Sequence, residues 1–443
     1  MGREALALLS LAALACGPDE PKADAVIQAL FAAPASAQCI QIVATGAKRT
    51  VTASFDVAPG LSTQMLSLRG VPAGTVLFSG SAFAVACGQI ASTTQPTWLA
   101  DSVLQSLTAG MTATFTMIFH PNGEATVGAD FQDDAYTAAT IAGSGTAGSA
   151  DGIGTAAQFN SPFGVAVSSG VVYIADTGNK AIRRIDLTTK VVSTLTLTGG
   201  SAFVDLRGLA LSGTLLYATD GCAIRKVDLT ANTQSILLGD PACSTGAIFG
   251  ALRGIVAVGS SLFVADSGKN VIRRIDLAGP TASIFSGQSG VAGAADGAAG
   301  VALFSAPEGL AADTQFLYLA DRGNCTVRQV SQANGSASTL AGRAGACAVV
   351  DDVGSAARFQ QPSGVALSGT NLFVSDAAGQ TIRRIDLSFS AVVSIAGSAG
   401  VSGNLDGRGS TARFNAPALI AVDSTGVLYV ADSGNHEIRS LTK

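Results

Sequence analysis

Histidine is nearly absent from this sequence: its 443 residues contain only His120 and His436. Zinc held by several histidines is thereby excluded, and a nucleophilic triad built on a histidine base has almost no raw material. Tryptophan is represented by Trp98 alone, and charged residues make up 13% of the chain, about half the ~25% of ordinary globular proteins. No apolar run reaches the roughly 18 residues that a membrane-crossing helix needs. No cluster of Lys and Arg stands ready to neutralise a row of phosphates, and 26 basic residues face 31 acidic ones, for a net charge of −5 and a pI near 5.1. With no stacking aromatics beside basic residues, nucleic acid is not an expected partner. There is no Cys-x-x-Cys pair to suggest redox chemistry.

Glycine is abundant, at 52 residues, which suits short strands joined by tight turns. The deciding feature is an internal repeat. The phrase VVYIADTGNKAIRRID (Val171 to Asp186) returns five times, and its marker aspartates Asp176, Asp220, Asp266, Asp321, Asp376 and Asp432 are spaced by 44, 46, 55, 55 and 56 residues. Each unit holds four short apolar or alternating runs bounded by Gly, Asp, Asn or Ser, which reads as strand punctuation. Four antiparallel strands make one propeller blade. The last unit stops at Lys443 after its third strand, and the missing fourth lies at the other end, in AATIAG (Ala138 to Gly143). One blade is therefore expected to combine both ends of the domain, closing a ring of six without an open edge.

The fragments PFGVAV, YIADTGNKAIRRID and the AGSADGxGTAAQF connection resemble the NHL repeat, over all six copies and about 300 residues. The resemblance implies an all-β fold, a six-bladed NHL-type β-propeller over 138–443. NHL propellers are mostly interaction domains, so it also implies a binding or scaffold module for protein, peptide or glycan. The alternative is a propeller enzyme, lactonase- or lyase-like, with a metal at the central channel; no cofactor or metal ligand set is expected from these residues, and an interaction role is favoured over catalysis. Ahead of the propeller, 38–135 alternates in strand fashion between Gly and Pro turns and is expected to form a small β-sandwich.

The first residues read as an export signal. Arg3 precedes an apolar run from Ala5 to Ala15, ending in LAALAC at Cys16, which has the length of a signal h-region. It resembles the lipobox of bacterial lipoproteins, implying a signal over 1–16, lipidation at Cys16, a tether over 17–37 and an outer-membrane anchor in the bacterial cell envelope. Ordinary secretion after Ala35-Ser36-Ala37 is the alternative. Removing Cys16 from the seven cysteines leaves six, an even number suited to an oxidising compartment. Cys222 and Cys325 share a repeat position at the start of strand three, while Cys243 and Cys347 follow strand four 21 and 22 residues later. Adjacent strands bring those ends together, so Cys222–Cys243 and Cys325–Cys347 are expected disulfides, with Cys39–Cys87 joining two strands of the sandwich.

An Asp–Arg pair recurs in every copy, from Asp176 with Arg183 to Asp432 with Arg439. A group needed six times is expected to hold turns rather than ligand, and the ADG turns at Asp151, Asp296 and Asp406 are read the same way. Function is expected where the repeat is broken. The residue before the strand-opening glycine begins each innermost strand, so Phe163, Arg207, Arg253, Glu308, Ser363 and, by alignment, Ala418 should ring the channel mouth. Lys180, Lys269, Arg322 and His436 come from loops on the same face. Two arginines, a glutamate and an aromatic ring suit an anionic or polar ligand.

Overall fold

The repeated runs are too short and too rich in β-branched residues for helices, and the Gly, Asp and Asn between them supply the turns of an antiparallel meander. The computed structural model describes residues 25–32, 38–46, 50–56, 64–71, 74–83, 85–90, 98–107, 112–118, 120–121, 132–133, 135–388 and 390–443. The signal segment 1–16 and its Cys16 lie outside the described residues.

Six four-stranded antiparallel sheets follow one another. Blade 1 has Pro162–Ser168 innermost, then Val171–Asp176, Ala181–Asp186 and Val191–Thr194. The innermost strands of blades 2 to 6 are Leu206–Ser212, Leu252–Val258, Pro307–Ala312, Pro362–Ser368 and Pro417–Val422. Each touches the next, and Pro417–Val422 touches Pro162–Ser168, so the ring closes. The outer strand of blade 6 is Thr137–Ala142, one residue earlier than the sequence suggests, paired antiparallel with Glu437–Thr442 through Ala138–Leu441 and Thr140–Arg439.

Six apolar clusters hold the ring, one between each pair of neighbouring blades. Blades 1 and 2 meet through Ala166, Ile182, Leu209, Leu216 and Val227. The seam between blades 6 and 1 joins Tyr429 and Ile438 to Phe159, Ile174 and Ile185. At roughly 1.5–3 kcal/mol per fully buried Leu, Ile, Val or Phe, each seam rivals a small domain core. Two-residue strands from the connections, Gly152–Ile153, Asp352–Val353 and Gly407–Arg408, cover the outer edges of blades 1, 5 and 6.

The sandwich ahead of the propeller has a four-stranded sheet and a five-stranded sheet. The four-stranded sheet corrects the tether expected over 17–37. Ala25–Ala32 is a strand there, antiparallel to Gln64–Val71 and parallel to Thr112–Ile118. Its sequence, AVIQALFA, is apolar enough to be drawn into a sheet. Disulfides join Cys39 to Cys87, Cys222 to Cys243 and Cys325 to Cys347. Among the described residues no helix is long and apolar enough to cross a membrane.

Candidate functional site

The conserved-looking part of each repeat is consumed by the scaffold. Asp176 ends its strand and accepts hydrogen bonds from the Asn160 amide (2.7 Å) and the Asn179 side chain (2.8 Å). Arg183, 1% exposed, donates to Asp176 (2.8 Å), to the Gln158 carbonyl (2.8 Å) and to Asp151 (2.8 Å), with its guanidinium 5.1 Å from the Phe159 ring centroid. The same stack of carboxylate, guanidinium and phenyl ring recurs through Arg225 on Phe203, Arg273 on Phe249, Arg328 on Phe304, Arg383 on Phe359 and Arg439 on Phe414.

The ADG aspartates do more than hold turns. Asp151, Asp296 and Asp406 each take a second hydrogen bond from the buried arginine of their blade, as Asp351 does from Arg383. Two carboxylates thus face one guanidinium, the strand-end one fully buried and the ADG one about half-exposed in blades 1, 4 and 6. Burial pushes Asp321 and Asp432 up to about 6, against the pull of Arg328 and Arg439. Between roughly pH 4 and 6 the folded chain therefore holds protons that the unfolded chain, with ordinary aspartates near ~3.9, has released. Stability should rise as pH falls through that window. Below it the sign reverses, because backbone hydrogen bonds in exposed turns hold Asp186 and Asp228 low and that stabilisation is lost on protonation. The thermal midpoint of the propeller should peak on the acid side of neutrality; a midpoint that falls steadily from pH 7 to 5 would refute the account from burial of Asp321 and Asp432.

The channel mouth is built by glycine. A Cβ on Gly309 would stand 2.5 Å from the Ser363 carbonyl oxygen, and one on Gly364 2.7 Å from that of Ala418. Gly164, Gly208 and Gly254 abut the carbonyls of Arg207, Arg253 and Glu308 more closely still. Five consecutive contacts thus set Phe163, Arg207, Arg253, Glu308, Ser363 and Ala418 in order around one ring. They differ in exposure: Glu308, Ser363 and Ala418 are buried, while Phe163, Arg207 and Arg253 are half-buried.

Arg207 donates Nε to Asp205 (2.7 Å) and lies 4.9 Å above the Phe163 ring, and Arg253 Nη1 reaches the other oxygen of Asp205 at 3.3 Å. Glu308, 5% exposed, has its Oε2 3.1 Å from Arg322 Nε, a distance of ion pairing without hydrogen-bond alignment, so that both atoms are buried and unbonded. Burial raises the Glu308 carboxyl above its usual range, although Arg322, Arg253, Arg207 and the Ser363 hydroxyl all pull it down. Arg322 Nη2 donates to Gln361 Oε1 at 2.8 Å.

Asp205 and Gln361 are the residues that sequence reasoning missed. They share a repeat position, two before the ring residue, where the other copies carry Ser161, Ala251, Ala306 and Ala416. The signal was the same break in the repeat, one step upstream. The loop residues divide. Arg322 joins the mouth, Lys180 is exposed and Lys269 half-exposed on their own loops, but His436 is occupied: its Nδ1 accepts the Ser161 amide at 3.0 Å. Asn270 and Gln380 do the same for Ala306 and Ala416, which marks His436 as a latch between blades 6 and 1. Among the described residues no three His, Cys, Asp or Glu side chains converge to hold a metal.

Residues 414–439, the start of blade 6 through its buried arginine, match the NHL repeat family model. Blade 6 thus carries an NHL repeat, and the chain as a whole resembles NHL-repeat proteins. It is 28% identical over 312 residues to NHL repeat-containing protein 2 of Homo sapiens, an alignment that covers 66% of this chain and 40% of that relative's length. Among solved structures it is similar in fold to a protein of unknown function from Bacteroides thetaiotaomicron, with TM-score 0.58, 17% identity and coverage of 91% and 90% of the two chains. An auxiliary nutrient binding protein from the same organism superposes with TM-score 0.57 at 15% identity, covering 90% of each chain. At that identity these two structures share the fold alone.

Proposed function

We propose that this protein is a binding module, anchored in the cell envelope through Cys16, which takes a protein, peptide or glycan at the channel-mouth face of its propeller. One observation carries the reading. Side chains common to all blades are spent on the scaffold, whereas the unlike ones, Phe163, Arg207, Arg253, Glu308 and Arg322, gather at one mouth with their guanidiniums partly in water. Polar groups that converge in a concave, preformed ring are what recognition of a ligand requires. The comparison with a nutrient binding protein agrees with such a role.

The test is recovery of partners from an envelope extract by immobilised wild-type protein and by the Arg207→Ala/Arg253→Ala double variant. Both side chains are about a quarter exposed and Glu308 keeps its pair with Arg322, so the variant should remain folded, as a melt alongside wild type would show, while losing the specific partners. Equal recovery by the two proteins would remove the mouth from the function.

A further inference from the structure

We infer that the ligand at the channel mouth is an acidic peptide segment whose carboxylates seat on Arg207, Arg253 and Arg322. The inference rests on the proposal that the mouth binds a ligand and adds that ligand's chemistry. Three guanidiniums and two carboxylates, Asp205 and Glu308, give the mouth an excess positive charge in a chain whose net charge is −5. Asp205 occupies only Nε of Arg207 and Nη1 of Arg253, and Gln361 only Nη2 of Arg322. Among the described residues the remaining donors of these three forks meet no protein acceptor, apart from Arg322 Nε, which faces Glu308 Oε2. A planar fork with two free N–H groups matches a carboxylate in bidentate fashion.

A second observation is independent of the surface charge. Glu308 Oε2 and Arg322 Nε are buried and face each other without a hydrogen bond. The pair is held by charge at 3.1 Å and not by an aligned hydrogen bond, which leaves the Arg322 guanidinium able to take a further acceptor. A ligand carboxylate seated on the free Nη1 of Arg322 would leave the pair with Glu308 in place and add a charged partner to a guanidinium that has one hydrogen bond, to Gln361.

The opposite face points the same way. There Asp186, Asp228, Asp313 and Asp423 cap the turns with their carboxylates on backbone amides, which offers an acidic chain less than the guanidiniums of the mouth do. A peptide fits better than an acidic glycan, since sugar rings favour an open aromatic platform and Phe163 is already covered by Arg207. The Gln361 amide, half-buried beside Arg322, offers the hydrogen bonding a peptide backbone needs.

Fluorescence anisotropy on the full chain tests this with three labelled probes: an alternating Glu/Gly nonapeptide, its Gln/Gly isostere and an oligogalacturonate of equal charge. The acidic peptide should bind in the micromolar to millimolar range, the isostere at least about tenfold more weakly. Arg253→Gln should weaken the acidic peptide by a similar factor and flatten its salt dependence, with Lys190→Gln on the opposite face leaving it unchanged. Equal binding of the isostere, indifference to Arg253→Gln, no binding of the acidic peptide at about 1 mM, or preference for the oligogalacturonate would each overturn the inference. Any of these outcomes alongside mouth-dependent recovery of an envelope partner leaves the binding role standing and removes only the acidic peptide. Mouth-independent recovery removes the binding role itself.

Discussion

Arg328→Met should cost about 3–5 kcal/mol, the range found when one partner of a buried ion pair is deleted, and lower the propeller's thermal midpoint by roughly 5–10 °C. Methionine nearly conserves the volume, so the loss is electrostatic. Asp321 would remain in the interior with only the Ser305 amide and the Asn324 side chain as donors. The Leu303 and Ala295 carbonyls would each lose a partner, and Asp296, half-exposed, would turn to water. Adding Asp321→Asn should recover part of the loss by removing the stranded charge. A single variant that melts within about 2 °C of wild type would show that these pairs are not what holds the blades, and the recurrent Asp and Arg would return as candidates for function.

Much of the architecture is legible because a propeller repeats its physics. The fourth strand missing after Lys443 and the orphan run at AATIAG follow from counting, since an unpaired edge has to be covered. The two propeller disulfides follow from strand adjacency, whereas Cys39 of the sandwich pairs with Cys87 on a 3-10 turn and not on a second strand. What does not repeat, or is satisfied by something far away in the chain, is harder to read. His436 looks like a free titratable group on a loop, and only the ring closure that brings Ser161 beside it, 275 residues away in sequence, shows that its imidazole is already engaged. The second carboxylate on four of the six buried arginines hides for a similar reason: Asp296 lies 32 residues before Arg328 and in a different part of the unit. Asp205 and Gln361 are a different case. Both break a position otherwise held by alanine or serine, and the criterion that found Arg207 and Arg253 would have found them had it been applied two residues earlier. The strand Ala25–Ala32 hides because its partners, Gln64–Val71 and Thr112–Ile118, are distant in sequence, and a single apolar stretch after a signal-like run has no local pattern to declare its pairing.

Gly309→Ala is expected to be among the most damaging single-methyl changes in the molecule. Its cost is one of space, since the new Cβ would meet three backbone atoms of blade 5: the Ser363 oxygen at 2.5 Å, Gly364 Cα at 2.8 Å and Val365 N at 2.9 Å. Side chains rotate away from such an intrusion; a strand bonded into its own sheet does not. Blades 4 and 5 would have to separate at the channel, and the seam joining Ala311 and Ala320 to Val365 and Val374 would open with them. Overpacking costs about 1–3 kcal/mol where side chains can yield, and here about 3 kcal/mol or more is expected. Gly170→Ala provides the contrast. That glycine needs φ +78° but has nothing within 4 Å of its Cβ, so its penalty should stay near the ~1–2 kcal/mol of a left-handed alanine. Calorimetry of the two variants separates crowding from conformation, and a smaller loss at Gly309 than at Gly170 would contradict the glycine-built ring. The same displacement moves Glu308, the neighbour of Gly309, relative to Arg322. Gly309→Ala should therefore weaken whatever the mouth binds even at temperatures where the propeller remains folded.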